Sequence, residues 1–375
     1  MRILSLFFLF LSASLVAQEC PTEPSSSFYS KEVRNLKRRA GRNAQAAQVE
    51  DLTYKEISVV FHVLHDEKLL NVSDSTILVA LNDLNAKFNE AKFRFVLVSI
   101  NRKPLKDFSW YQEYMNEPLT SNKLPTLYGP GSTKLFEIAQ TMSVNPNTTL
   151  NIFVQPKVYN ALGFSFIPPF GATSINPAPK PPDGVWIRTS TFSLNSSSYN
   201  RNAVLIHEVG HYLGLFHTFN GAFSCQNFGL DCATTGDLVC DTPPFQKSNF
   251  LPDCTPACNV EILQSDPWFG YVQDNHMDYL ADNCRRSFTN GQIARMHRYV
   301  DENRKSVYRT ISSACLADVD RDGVVTSQDF LLYLSCHGQS FTVGDCYKCD
   351  FNGDGLVGSA DHLFFLSMIG ETCTR

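Results

Sequence analysis

Positive charge is in short supply in this 375-residue sequence: 32 Lys and Arg stand against 37 Asp and Glu, a formal net charge of -5. Without a basic surplus there is no electrostatic footprint for a polyanion, which excludes nucleic acid as a partner. Long apolar runs are equally scarce. One lies at the start, Ile3 to Leu11, and no second span follows, so no transmembrane segment is expected. Charged residues make up only 18% against 43% hydrophobic, a globular balance that argues against long disorder. The length suffices for one large core plus a smaller module.

What is present is more specific. Met1-Arg2, the apolar run and the smaller residues from Ser12 to Ala17 read as a secretory signal, residues 1–17. Export permits disulfides, and the 12 cysteines fit that compartment. Six fall between Cys225 and Cys284 and five between Cys315 and Cys373, with Cys20 alone. The odd terminal count leaves one cysteine free or reaching elsewhere. Residues 18–53, with a Pro/Ser-rich start and the basic Lys37-Arg38-Arg39, are expected to be a propeptide. Cys20 would then either block a metal or pair with the odd cysteine.

Strands are expected over 56–64, 93–100, 150–154 and 184–188, where β-branched and aromatic residues cluster. A helix capped near Ser73 runs to Phe88, and another is expected over 132–140. This alternation predicts an α/β (α+β) domain with a mixed sheet over residues 54–311.

Beside that layer lies His207-Glu208-Val209-Gly210-His211-Tyr212-Leu213-Gly214-Leu215-Phe216-His217. Histidines one helical turn apart share a face and can meet one ion. Were the helix to continue, His217 would lie roughly 15 Å along the axis from His207. Zinc–nitrogen bonds are only about 2.0–2.1 Å, so His217 can join only if the chain turns. Gly214 is placed where a left-handed residue would close the helix, expected over 202–213. The string predicts Zn2+ bound by His207, His211 and His217. Glu208, beside the first ligand, is placed as the general base that takes the proton of a zinc-bound water.

Together with Gly236-Asp237 to Pro244, Met277 and the Cys284 to Met296 stretch, this string resembles the pappalysin branch of the metzincin metallopeptidases. The resemblance covers roughly residues 56–305. It implies a protein or peptide substrate, an apolar floor at Met277 and an oxyanion partner in Tyr279. It also implies a structural Ca2+ held by Asp237, the Val239 carbonyl and Thr242. Two positions depart from the pattern. Asn283, after Asp282, stands where some relatives that prefer basic residues carry an acid, so that preference is not carried over. His276 replaces an aromatic or apolar residue.

Residues 315–375 contain a repeat spaced by 32 residues. Asp318, Asp320, Asp322, Val324 and Asp329 match Asp350, Asn352, Asp354, Leu356 and Asp361. Oxygens at positions 1, 3 and 5, glycine at 6 and an acid at 12 make a calcium loop. Each loop precedes an apolar stretch, predicting a small all-α module that resembles a duplicated dockerin. That likeness implies a cohesin-like or cell-surface partner, although the cysteines are atypical. The whole chain is expected to be a secreted, extracellular zinc endopeptidase. The alternatives are a calcium-dependent binding protein keeping the fold, or a zinc amidase acting on cell-wall material.

Overall fold

The computed structural model describes residues 53–66, 71–116, 132–156, 158, 161–165, 167, 183–192, 202–220, 236–242, 274–280 and 284–375. The expected signal and propeptide segments, Asn283 and most of the 225–258 cysteine cluster lie outside those residues.

The sheet is built from β1 (Tyr54–His65), β2 (Phe93–Pro104), β3 (Thr149–Gln155), β4 (Gly163–Ser165) and β5 (Val185–Arg188), in the order β2-β1-β3-β5-β4. β1, β2, β3 and β5 run parallel, and β4 lies antiparallel to β5 at the edge. A sixth strand, β6 (Tyr308–Ile311), pairs antiparallel with the start of β1. Neither β4 nor β6 was expected from the sequence. Each has only three or four residues, too short for alternation to register.

Parallel strands must bury both faces, and the side chains divide accordingly. Ile152 and Val154 of β3 and Val185 and Ile187 of β5 enter one core, while Phe153 and Trp186 enter another. On the first face pack α1 (Asp74–Phe88), the helix α4 (Ala203–Tyr212) and α5 (Asn290–Asn303). On the second face Phe153 and Trp186 stack with centroids 4.2 Å apart, against Leu135 and Ile138 of α3 (Ser132–Met142). A short α2 (Tyr111–Asn116) precedes α3. Ser73 caps α1 by accepting from the Thr76 amide at 3.2 Å. Thr289 and Gln292 form a reciprocal cap on α5.

After β6 come α6 (Ala314–Ala317), α7 (Ser327–Cys336) and α8 (Ser359–Met368). Two equivalent loops precede α7 and α8. In the first, Asp329 Oδ1 accepts from the amides of Val319 and Asp320 at 2.7 and 3.1 Å. In the second, Asp361 Oδ1 accepts from Phe351 and Asn352 at the same two distances. The repeat in sequence is therefore a repeat in structure. Tyr333 is fully buried between the halves, facing Phe351 and Phe365. Cys315 pairs with Cys373 and Cys336 with Cys346. The odd cysteine is Cys349, unpaired and buried, its thiol pushed up to about 12 by burial.

This module sits against the sheet's β2 edge. Asn82 Nδ2 of α1 donates to the Gly353 carbonyl at 3.3 Å. Gly353 has φ +76, and a Cβ there would fall 2.6 Å from the Ala86 Cα. Beside that contact a cleft of about 440 Å³ runs between Arg94 and Leu97 of β2 and Val319, Arg321 and Tyr347.

Candidate metal centre

α4 is wholly buried, packed between the sheet and α5, with His207, Glu208 and His211 as its buried polar side chains. It starts at Asn202, in the left-handed conformation at φ 60, whose amide donates to Asp83 Oδ2 of α1 at 2.7 Å. It ends at Tyr212, one residue after His211. Gly214 takes φ +95, its amide donates to the His211 carbonyl and the Leu215 amide to Gly210. The chain then doubles back, and Phe216 and His217 are buried.

That reversal brings the three imidazoles together. His211 Nε2 lies 3.1 Å from His207 Nε2 and 3.1 Å from His217 Nε2. Four ligands in a tetrahedron around one zinc would be separated by roughly 3.3 Å, given bonds of about 2.0–2.1 Å. The donor set therefore fits zinc. His207 Nδ1–H donates to the His276 carbonyl and His211 Nδ1–H to the Leu215 carbonyl, each at 2.8 Å. These bonds fix the tautomer and leave both Nε2 lone pairs facing inward. Burial, then His211 and His217, hold the pKa of His207 well below its ordinary value, so the ring is neutral.

Glu208, the expected base, is fully buried on the helix beside this cluster. Strand β4 crosses it closely: a Cβ on Gly163 would lie 3.0 Å from the Glu208 Cγ. Met277 lies beneath α4, where a Cβ on Gly210 would fall 2.5 Å from its sulfur. Tyr279 packs against His217 with centroids 4.9 Å apart and against His207 at 5.8 Å. Sequence reasoning missed both glycines. For Gly210 a signal was available, since a glycine inside a helix marks a close approach.

The Met277 turn is pinned by side chains the motif did not single out. Asn275 Oδ1 accepts from the Met277 amide at 2.9 Å and its amide donates to Gln292 Oε1 at 2.9 Å. Gln292 Nε2 in turn reaches Asp237 Oδ2 at 3.4 Å. Asp237 meets its two expected companions: Thr242 Oγ1 is 2.6 Å from its Oδ1 and 2.9 Å from the Val239 carbonyl. Burial raises the pKa of Asp237 to about 7 against the pull of these hydrogen bonds. A cation there would keep it ionised. In the C-terminal loops, carboxylate oxygens of Asp318, Asp320 and Asp322 lie within 4.8 Å of one another, as do those of Asp350, Asp354 and Asp361. Asn352 and the backbone positions Val324 and Leu356 belong to the same loops, which Asp329 and Asp361 close.

Residues 137–301 match the Peptidase_M43 family, described as pregnancy-associated plasma protein-A. An extracellular metalloprotease of Verticillium alfalfae is 36% identical over 169 residues, covering 44% of this chain and 54% of that protein. The chain thus spans about half the length of that relative. Human pappalysin-1 is 38% identical over 117 residues, which are 29% of this chain and 7% of pappalysin-1. A Tannerella forsythia promirolysin mutant superimposes with a TM-score of 0.51 at 20% identity, over 76% of this chain and 95% of that one. That likeness speaks to the fold alone, a mixed α/β sheet with its helices. The family match stops short of the C-terminal module. Among the described residues no helix is long and apolar enough to cross a membrane. Residues 137–301, which hold the three converging histidines, are thus similar to zinc metallopeptidases of the Peptidase_M43 type.

Proposed function

We propose that the chain is a secreted zinc endopeptidase in which Glu208 is the general base. The observation that carries this reading is the convergence of three imidazole Nε2 atoms beside a buried carboxylate at a sheet edge. Zinc on those nitrogens supplies Lewis acidity, lowering the pKa of a water and polarising a peptide carbonyl. Glu208 takes the proton from that water as it attacks, then delivers it to the leaving nitrogen. The Tyr279 hydroxyl donates to the oxygen that gains charge. β4 is the sheet's edge in the described strands and passes over Glu208, so its backbone can pair with an extended peptide.

Asp237, the Val239 carbonyl and Thr242 would supply three oxygens to a structural calcium, and neighbours or water would complete its shell. The repeated loops would hold one calcium each in a dockerin-like module whose partner is cohesin-like or on a cell surface. Residues 1–17 would direct export and 18–53 confer latency.

Glu208→Gln tests the mechanism. It is expected to retain one zinc per chain while casein cleavage falls by at least about 10³-fold, a loss large enough to require the base. Undiminished cleavage in that variant refutes the mechanism. A zinc-loaded wild type that cuts nothing favours the non-catalytic binding reading.

A further inference from the structure

We infer that Arg295 is a positioning residue for the metal centre, setting two of its three imidazoles from α5 through the turn that carries them. The inference rests on the reading of His207, His211 and His217 as zinc ligands. The turn from Gly214 to Phe216 has two duties. Its Leu215 carbonyl orients His211 through the 2.8 Å bond to Nδ1, and its far end, Phe216, leads directly into His217. Arg295 grips the turn on both sides of Leu215. Its Nε–H donates to the Gly214 carbonyl at 2.8 Å, and its guanidinium stacks on the Phe216 ring with Cζ 4.2 Å from the centroid. Arg295 is 3% exposed, so this bond lies in the interior, where losing a partner is costly.

Geometry makes this grip necessary. Gly214 is held at φ +95 with Tyr299 of α5 against it, where an added Cβ would lie 2.1 Å from the ring. Within the turn, the amides of Gly214 and Leu215 bond back to α4 at His211 and Gly210, while the Gly214 carbonyl accepts from Arg295 on α5. Arginine suits the task because one planar group can donate in its plane and stack on its face, which an ammonium cannot. Losing it frees the Leu215 carbonyl to rotate and His217 to drift. Support of this kind around a metal is worth about 10–100-fold in affinity.

The test uses the full chain with a chromogenic chelator competing for zinc, and thermal unfolding with and without the metal. Arg295→Met is expected to bind zinc about 10–100-fold more weakly, and its zinc-induced rise in Tm shrinks accordingly. Arg295→Lys is expected to fall between the methionine variant and wild type. Val300→Ala, a core truncation on the same helix, serves as the control. It lowers the Tm of both forms alike and leaves zinc affinity within about twofold. Zinc affinity in Arg295→Met within about twofold of wild type overturns the inference, whatever happens to Tm. Should Arg295→Met fail to fold, Arg295→Lys decides on the same scale: several-fold weaker binding supports positioning, and wild-type binding refutes it. A wild type whose zinc binding survives His217→Ala is a separate result, which removes the metal reading itself.

Discussion

Tyr279 and Glu208 stand on opposite sides of the same chemical problem. In the proposed mechanism Glu208 handles the proton, whereas Tyr279 answers the charge that builds on the carbonyl oxygen. Tyr279 is 2% exposed and wedged between His217 and Phe219, so removing its hydroxyl should leave the ring where it is. Tyr279→Phe is therefore expected to lower kcat by about 10–10³-fold with KM nearly unchanged, since the hydrogen bond strengthens in the transition state. A rise in KM at constant kcat would instead place Tyr279 in substrate binding. His62 gives a second test at this scale. It is buried, stacked on Phe153 and hydrogen-bonded to Asn151 Oδ1 at 2.8 Å, and burial lowers its pKa below 6.5. The unfolded chain then takes up a proton near pH 6.5 that the folded chain refuses. Stability is complete above that pH and declines as pH falls, by up to about 1.4 kcal/mol per pH unit for one such group. Urea midpoints of chelator-treated protein between about pH 5 and 7 should show a shallower acid limb in His62→Gln.

Elements differ in how much of themselves the sequence discloses. α4 declares itself, because His207, His211, Gly214 and His217 have a spacing that only a helix followed by a turn can satisfy. β1, β3 and β5 are legible as apolar runs, since parallel strands bury both faces. β4 is not: Gly163-Phe164-Ser165 has neither length nor alternation, and it becomes a strand only because β5 offers an open edge. The partners of the metal centre were hidden for a related reason. Asn275, Gln292 and Arg295 act across long sequence separations, 81 residues between Arg295 and Gly214, and no local pattern reports such a contact. Gly163 and Gly210 were visible as glycines, but only the fold says what each admits: Glu208 beneath β4, and Met277 beneath α4.

At the level of the whole molecule, the C-terminal loops join the module to the domain. Gly353 belongs to the second loop and lies against Ala86, with Asn82 bonded to its carbonyl. Gly353→Ala cannot keep that approach, because its Cβ would overlap the α1 backbone at a φ that L residues avoid. The variant is expected to show a larger radius of gyration by small-angle scattering while peptidase activity persists. An unchanged radius would mean the contact is dispensable. Cys315–Cys373 closes a loop of 58 residues across the same module, so its loss should destabilise the module by roughly 4 kcal/mol.

The join also has a direction. The module rests against β2 at one edge of the sheet, whereas β4 and Glu208 stand at the other. Four interstrand steps of about 4.8 Å separate those edges, roughly 19 Å. A partner docked on the module at the β2 edge would therefore leave the β4 edge, and the histidine cluster beside it, facing away from the docked surface.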